Sequence, residues 1–200
     1  FNEGVYRERS GVLERIADRS ITPPGETESF IFFGEVSAFG DEVAFYGRPD
    51  VGGLWTTSGA PSGSLRKVVD RNSTLPDIGP PVVLFAPNTY QIDGTDIAFL
   101  ASEDNTFDDF LYVDTGGVKR LIVSEDDINP ITGTPFLVLA NHYSLSDGRV
   151  LFEGRSDVPG RSIDGIDLCN DTGFDTIVNE LDALDGKQSQ GLRLYEETLA

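Results

Sequence analysis

One histidine, His142, and one cysteine, Cys169, bound the nucleophilic chemistry open to this 200-residue chain. A Ser-His-Asp relay or a Cys-His pair would have to use His142, and only Cys169 could supply a thiolate. His142 follows the apolar run Phe136–Leu139, within Asn141-His142-Tyr143. That setting suits a loop residue making one hydrogen bond. Structural zinc takes four Cys or His ligands, so one imidazole and one thiol are a poor start. A lone cysteine also excludes an internal disulfide and a CxxC redox motif. No phosphate-cradling glycine loop of the GxxxxGK or GxGxxG type is present.

Carboxylates are the abundant chemical group, with 34 acidic residues against 15 basic ones for a net charge of −19. At that density some pair always falls within the reach that glycoside hydrolysis needs, so pairing alone points weakly to a hydrolase. Tighter clusters suit a hard cation better. They are Glu103-Asp104 with Asp108-Asp109, then Glu125-Asp126-Asp127, and Asp164 with Asp167 and Asp171. Ca²⁺ takes about six to eight oxygens from acidic loops, which makes Asp104, Asp108, Asp109, Glu125, Asp126 and Asp127 the expected ligands if a metal is bound. None of the clusters has the Asp-x-Asp-x-Asp-Gly spacing, and solvated acidic loops are the plainer reading. No other cofactor is expected. The net charge repels nucleic acid and anionic membrane surfaces. No apolar run approaches the ~20 residues of a membrane span. Asn72-Ser73-Thr74 and Asn170-Asp171-Thr172 fit the glycosylation acceptor pattern, which carries no weight in a bacterial protein.

The elements that would position these groups are short strands. Glycine at 22 and proline at 11 break the chain too often for long helices. Three tracts recur. Asp41-Glu42-Val43-Ala44-Phe45 is echoed by Asp96-Ile97-Ala98-Phe99 and by Arg149-Val150-Leu151-Phe152, with Gly40, Gly94 and Gly148 just upstream. Each reads as a turn needing φ > 0 that feeds a strand. A second tract is Gly4-Val5-Tyr6, Gly53-Leu54-Trp55, Phe110-Leu111-Tyr112 and a weaker Gly165-Ile166-Asp167. Each is followed by a hairpin partner: Val12–Ile16, Leu65–Val69, Val118–Ile122 and Phe174–Val178. Tyr6, Trp55 and Tyr112 share a strand position and read as packing residues between sheets rather than sugar platforms. The third tract is a proline followed by an apolar strand: Phe30–Phe33, Val82–Phe85 and Phe136–Leu139.

Four antiparallel strands in a period of about 50 residues describe a blade of a β-propeller. The expectation is an all-β, β-propeller-like array of four-stranded blades forming a single domain. Its units run over about 1–48, 49–103, 104–156 and a partial 157–200, with Gly191–Tyr195 as a further strand of the last. That unit lacks the Phe-ending strand, and the chain opens at Phe1 and holds no Met. Exposed sheet faces would be costly. The chain is therefore expected to be an incomplete part of a longer protein, or to be completed by further copies of itself.

The succession of Gly-aromatic strand, strand ending near Ala17-Asp18 or Val69-Asp70, proline, apolar strand and Gly-x-x-Val-Ala-Phe resembles secreted bacterial β-propeller-like repeat proteins, several of which end in a surface-sorting anchor. Leu184-Asp185-Gly186-Lys187 resembles a segment near the ends of such proteins, and Ser146-Asp147-Gly148-Arg149-Val150-Leu151-Phe152 resembles the strand-leading motif of TolB-type propellers. The third unit departs with Val123 at the Asp position and the fourth with Asn179. The resemblance implies export to the outside or the surface of a bacterial cell, and it carries no catalytic residues. The expected role is an extracellular scaffold or binding module whose loops recognise a protein or glycan partner. A carbohydrate-active hydrolase and a structural subunit of a surface layer or filament are the alternatives.

Overall fold

The computed structural model describes residues 3–60, 64–78, 81–84, 90–103, 108–129, 132–158, 161–170 and 173–179. Among these residues the regular elements are all strands, and no helix is long and apolar enough to cross a membrane. Sheet one is the hairpin β1 (Gly4–Arg9) and β2 (Val12–Asp18). Sheet two runs in order through β3 (Phe32–Phe39), β4 (Glu42–Arg48), β5 (Gly53–Thr56) and β6 (Arg66–Asp70). In sheet three the first strand comes in two pieces, β7 (Val82–Leu84) and β8 (Tyr90–Asp93). Both pair with β9 (Asp96–Glu103), which is followed by β10 (Asp109–Thr115) and β11 (Val118–Ser124). Sheet four holds β12 (Phe136–Ser146), β13 (Arg149–Val158), β14 (Arg161–Asn170) and β15 (Gly173–Asn179). All pairings are antiparallel.

The sheets take up the sequence in a different phase from the expected units. The boundaries near 48, 103 and 156 fall within sheets, because β4 pairs with β5, β9 with β10, and β13 with β14. Each full sheet starts with its apolar strand and ends with the aromatic hairpin. In this phase β14 and β15 complete sheet four, and among the described residues it is the N-terminal hairpin that has two strands only. Gly191–Tyr195 lies outside the described residues.

Side-chain alternation stacks the sheets in chain order. On β4, Val43 and Phe45 pack with Val5 and Ala17 of sheet one. Ala44, one residue between them, packs with Ile97 and Phe99 of sheet three. On β9 the roles alternate again, with Ala98 and Leu100 turned to Phe136, Leu139 and Phe152 of sheet four. Burial on both faces is why Ile97–Ala101 is apolar without interruption.

Phe45, Phe99 and Phe152 occupy matching places. They pair with Trp55, Tyr112 and Asp167 respectively, all three are buried, and each joins the core shared with the preceding sheet. Gly40, Gly94 and Gly148, in the turns ahead of them, have positive φ of 56°, 58° and 71°. Gly47 and Gly154 are fixed by packing: a Cβ there would lie 2.6 Å from the rings of Phe30 and Phe136.

The four closing hairpins share one irregularity. Register slips between Val5 and Tyr6, Leu54 and Trp55, Leu111 and Tyr112, and Ile166 and Asp167. The extra residue on the facing strand is Ile16, Val68, Ile122 or Ile177, β-branched each time. A bulge of this kind sharpens the local twist. The register also corrects one sequence reading. Ser124, not Val123, stands with Asp18, Asp70 and Asn179, while Val123 matches Ala17, Val69 and Val178. The shared job is to shape the following turn. Asp18 and Asp70 accept backbone N–H groups of Ser20 and Asn72 at 2.9 and 3.0 Å, whereas Ser124 donates its own N–H to Asp127 at 2.7 Å.

Two tyrosines tie neighbouring sheets. Tyr90 and Tyr143 sit opposite Phe99 and Phe152 on the first strands of sheets three and four. The Tyr90 hydroxyl accepts the Tyr46 N–H at 3.0 Å and donates to the Glu35 carbonyl, in the stretch where β3 slips register. The Tyr143 hydroxyl donates to the Ala98 carbonyl at 3.5 Å. Desolvation raises the pKa of both phenols, which stay neutral donors. Val36 holds this position in sheet two, opposite Phe45, and is 52% exposed. Among the described residues, sheet one has no strand at the place it would reach.

Candidate functional site

The groups singled out in the sequence are mostly dispersed. His142 falls in β12 between the paired Leu139 and Tyr143, where the register slips, and its side chain lies outside the described residues. Cys169 is on β14, with β13 between the two strands. Asp164 and Asp167 lie along β14 opposite Arg155 and Phe152, while Asp104 and Asp171 are outside the described residues. Asp127 accepts hydrogen bonds from the N–H and hydroxyl of Ser124 at 2.7 and 3.2 Å, and Asp126 is exposed.

Asp108, Asp109 and Glu125 do come together at one end of sheet three. Asp109 accepts the Ser102 hydroxyl at 2.5 Å, and its carbonyl accepts the Glu125 N–H at 3.2 Å. Burial, reinforced by the charges of Asp109 and Asp108, pushes Glu125 up to about 7. Burial also raises Asp109, against the Ser102 hydrogen bond. Among the described residues, no three His, Cys, Asp or Glu side chains are grouped so that they could hold a metal ion.

The site that sequence reading missed lies between sheets one and two. Ser10 and Gly11 both have positive φ, 51° and 82°, the geometry of a two-residue hairpin turn whose twist suits the flanking strands. The hairpin sets Arg7 and Arg9 of β1 and Glu14 and Arg15 of β2 along a cleft of about 630 Å³. Its far side is the β3–β4 turn with Asp41 and Glu42. Its floor includes the start of the loop that leaves β5, where hydrogen bonds fix Thr57 and Ser58. Thr57 donates its N–H to the Val43 carbonyl at 3.0 Å and its hydroxyl to Glu42 at 2.6 Å, and Ser58 donates to the Gly94 carbonyl at 3.3 Å.

Arginines join the two walls. Arg7 donates through Nε and Nη2 to Glu14 Oε2 at 3.2 and 2.6 Å, and through Nη1 to the Asp41 carbonyl. Arg9 Nη2 pairs with the Asp41 carboxylate. Arg15 Nη1 pairs with Asp18 at 2.9 Å and reaches Ser20 at 3.5 Å. By register, Arg7 stands where sheets two and three bury Thr56 and Val113, whereas Arg15 stands with Lys67 and Leu121, paired across the hairpin with Tyr6 as they are with Trp55 and Tyr112. A signal existed in the sequence: Arg7, Arg9, Arg15 and Arg19 are four of the 15 basic residues, all within the first 19 positions of a chain with net charge −19.

A scan against protein-family models matches none, and searches of curated proteins and of solved structures find no similar chain.

Proposed function

We propose that this chain is a binding module built from propeller-like four-stranded blades, displayed outside or on the surface of a bacterial cell, that recognises its partner through the cleft between sheets one and two. The stacking of successive antiparallel sheets and the recurrent bulge support the blade reading. The export reading rests on the resemblance of the strand motifs. One observation carries the binding reading: beside the apolar core shared by sheets one and two, polar and charged side chains line an open cleft. Rigid sheets that present a concave, hydrogen-bonding surface between them are a common way to build a recognition site. A hydrolase is less well supported, because the carboxylates of the cleft are engaged by Arg7, Arg9 and Thr57.

Peptide and glycan arrays probed with the wild-type protein and with Ser64→Trp, which fills the cleft wall, test this reading. Binding that is retained by wild type and lost in the variant supports it. Binding that is indifferent to the substitution, or absent throughout, overturns it.

A further inference from the structure

We infer that β1 receives, along its open edge, an extended apolar segment of a partner protein, which joins sheet one as an added antiparallel strand. The backbone comes first. Strands β5, β10 and β14 each pair on one side with the strand that carries Phe45, Phe99 or Phe152, and on the other with their hairpin partner. The matching strand of sheet one is β1, with the same bulge, and among the described residues it pairs with β2 alone. Its other edge is a row of backbone N–H and C=O groups along a six-residue strand, the template on which extended peptides add.

The surface beside that edge is apolar and open. Val36 and Ala38 of β3 stand opposite Phe45 and Val43, on the face of sheet two turned to sheet one. Their counterparts are Tyr90 and Ile92 in sheet three and Tyr143 and Leu145 in sheet four, and all four are buried. Val36 is 52% exposed, and Ala38 is exposed as well. The difference lies in what packs across. Strand β8 packs on β3 and β4, and β12 on β8, β9 and β10, so each rests on the first two strands of the sheet before. Of sheet one, β3 packs on β1. The notch between the edge of β1 and the face of β3 thus continues the core of Val5, Phe33 and Phe45.

The chain itself shows what fits. Opposite the aromatics of β5 and β10 stand Phe45 and Phe99, preceded by Ala44 and Ala98 and followed by Tyr46 and Leu100. Those flanking residues pack towards the next sheet, with Tyr90 and Ile92 in one case and Tyr143 and Leu145 in the other. An Ala-Phe-Leu segment laid along β1 in this register sets its Ala and Leu on Val36 and Ala38. Its Phe then lies beside Tyr6 as a cross-strand aromatic pair. A second copy pairing through its own β1 about a two-fold axis does not fit. That symmetry puts its sheet two on the side of the joined sheet where β3 already lies. The occupant is therefore a bare extended segment.

The experiment titrates the intact chain with blocked Lys-Val-Ala-Phe-Leu-Gly-Lys and with two forms N-methylated at alternate residues, one on each edge. All three carry the same charge, so attraction to a protein of net charge −19 is common to them. Affinity and amide hydrogen exchange are read on wild type, Val36→Lys, Val36→Tyr and Ser64→Trp. The expected result is binding that slows exchange at alternate amides of β1. Only the form whose methyl groups meet β1 should lose affinity, by roughly tenfold or more. Val36→Lys should weaken binding roughly tenfold. Val36→Tyr should tighten it about threefold, because its hydroxyl meets the Leu N–H as Tyr90 meets the Tyr46 N–H. Protection of β9 to β11 shows that both variants are folded. No binding, equal binding of the two methylated forms, or indifference to both Val36 substitutions overturns the proposal. Slow exchange of those β1 amides before peptide is added means that the edge is already filled, and overturns it too. Loss on Ser64→Trp alone moves the peptide to the cleft, which removes the added strand and leaves the binding module standing.

Discussion

The hairpins β1–β2 and β10–β11 agree residue by residue, down to the same bulge before Tyr6 and Tyr112, yet they live in opposite surroundings. Sheet three has neighbours on both faces, and Tyr112, Val113 and Val123 are buried. Among the described residues sheet one has sheet two on one face only, so Tyr6, on the other face, is 43% exposed, while on the covered face the position of Val113 is held by Arg7 at the cleft. Backbone register is thus set by the turn and the bulge, which are local, while side-chain chemistry answers to what packs against the sheet. The comparison teaches where selection for packing was relaxed. On the uncovered face the chain exposes Tyr6, and on the covered face, beyond the shared core, Arg7 and Arg9 line a cleft.

The largest way to break this comparison is to truncate matched aromatics. Trp55→Ala empties a fully buried site and should cost about 3–5 kcal/mol in urea denaturation, whereas Tyr6→Ala at the same register should stay within about 0.5 kcal/mol. Similar losses would mean that sheet one is covered on its outer face. Ion pairs give a second contrast. Asp114 is buried with Arg66 at 2.6 Å and Lys119 at 3.4 Å, and it accepts the Gly117 N–H at 3.1 Å. The Arg66 N–H vectors do not align for a hydrogen bond, so this contact between sheets two and three is one of charge. Asp114→Ala leaves a buried cation without its partner and should cost about 3–5 kcal/mol. Asp41→Ala, at the open cleft, should cost about 1 kcal/mol or less.

Smaller effects sharpen the account. Tyr90→Phe deprives the Tyr46 N–H of its acceptor and should cost about 1–3 kcal/mol. Val36→Tyr, which installs the same hydroxyl where none of the described strands awaits it, should gain nothing. The smallest expected effect is a pH dependence. Glu125 sits at about 7, above its ordinary 4.5. The folded protein therefore holds that proton after the unfolded chain has lost it, and stability should fall as pH rises from about 4.5 to 7. Because the group is only partly buried, the loss should be of order 1 kcal/mol. Glu125→Gln should flatten the profile, as read by thermal melts across that range.

Strand type and the repeating Phe were legible because burial on alternate faces writes itself into the sequence with period two: Val43, Phe45, Ile97 and Phe99 could be read directly. The phase of the sheets was not. Which strand pairs across a loop depends on closure in three dimensions, and the residues between β4 and β5 look no different from a linker. The bulge was hidden too, because Ile16, Val68 and Ile122 read as one more apolar position. The acidic cluster was half legible. Proximity in sequence grouped Glu125, Asp126 and Asp127, but only the β10–β11 pairing brings Asp109 to Glu125, while Asp127 turns to the Ser124 backbone. The cleft was illegible because arginines on a strand look like a solvated face until a second sheet is seen opposite them.

Residue-resolved amide hydrogen exchange on the intact chain tests the central contrast most directly. Amides of β10 and β11 should exchange only through global unfolding, while the matched amides of β1 and β2 should exchange faster through opening of the first hairpin alone. Equal protection of the two hairpins would contradict the account, since it would require β1 and β2 to be enclosed as fully as their counterparts in sheet three.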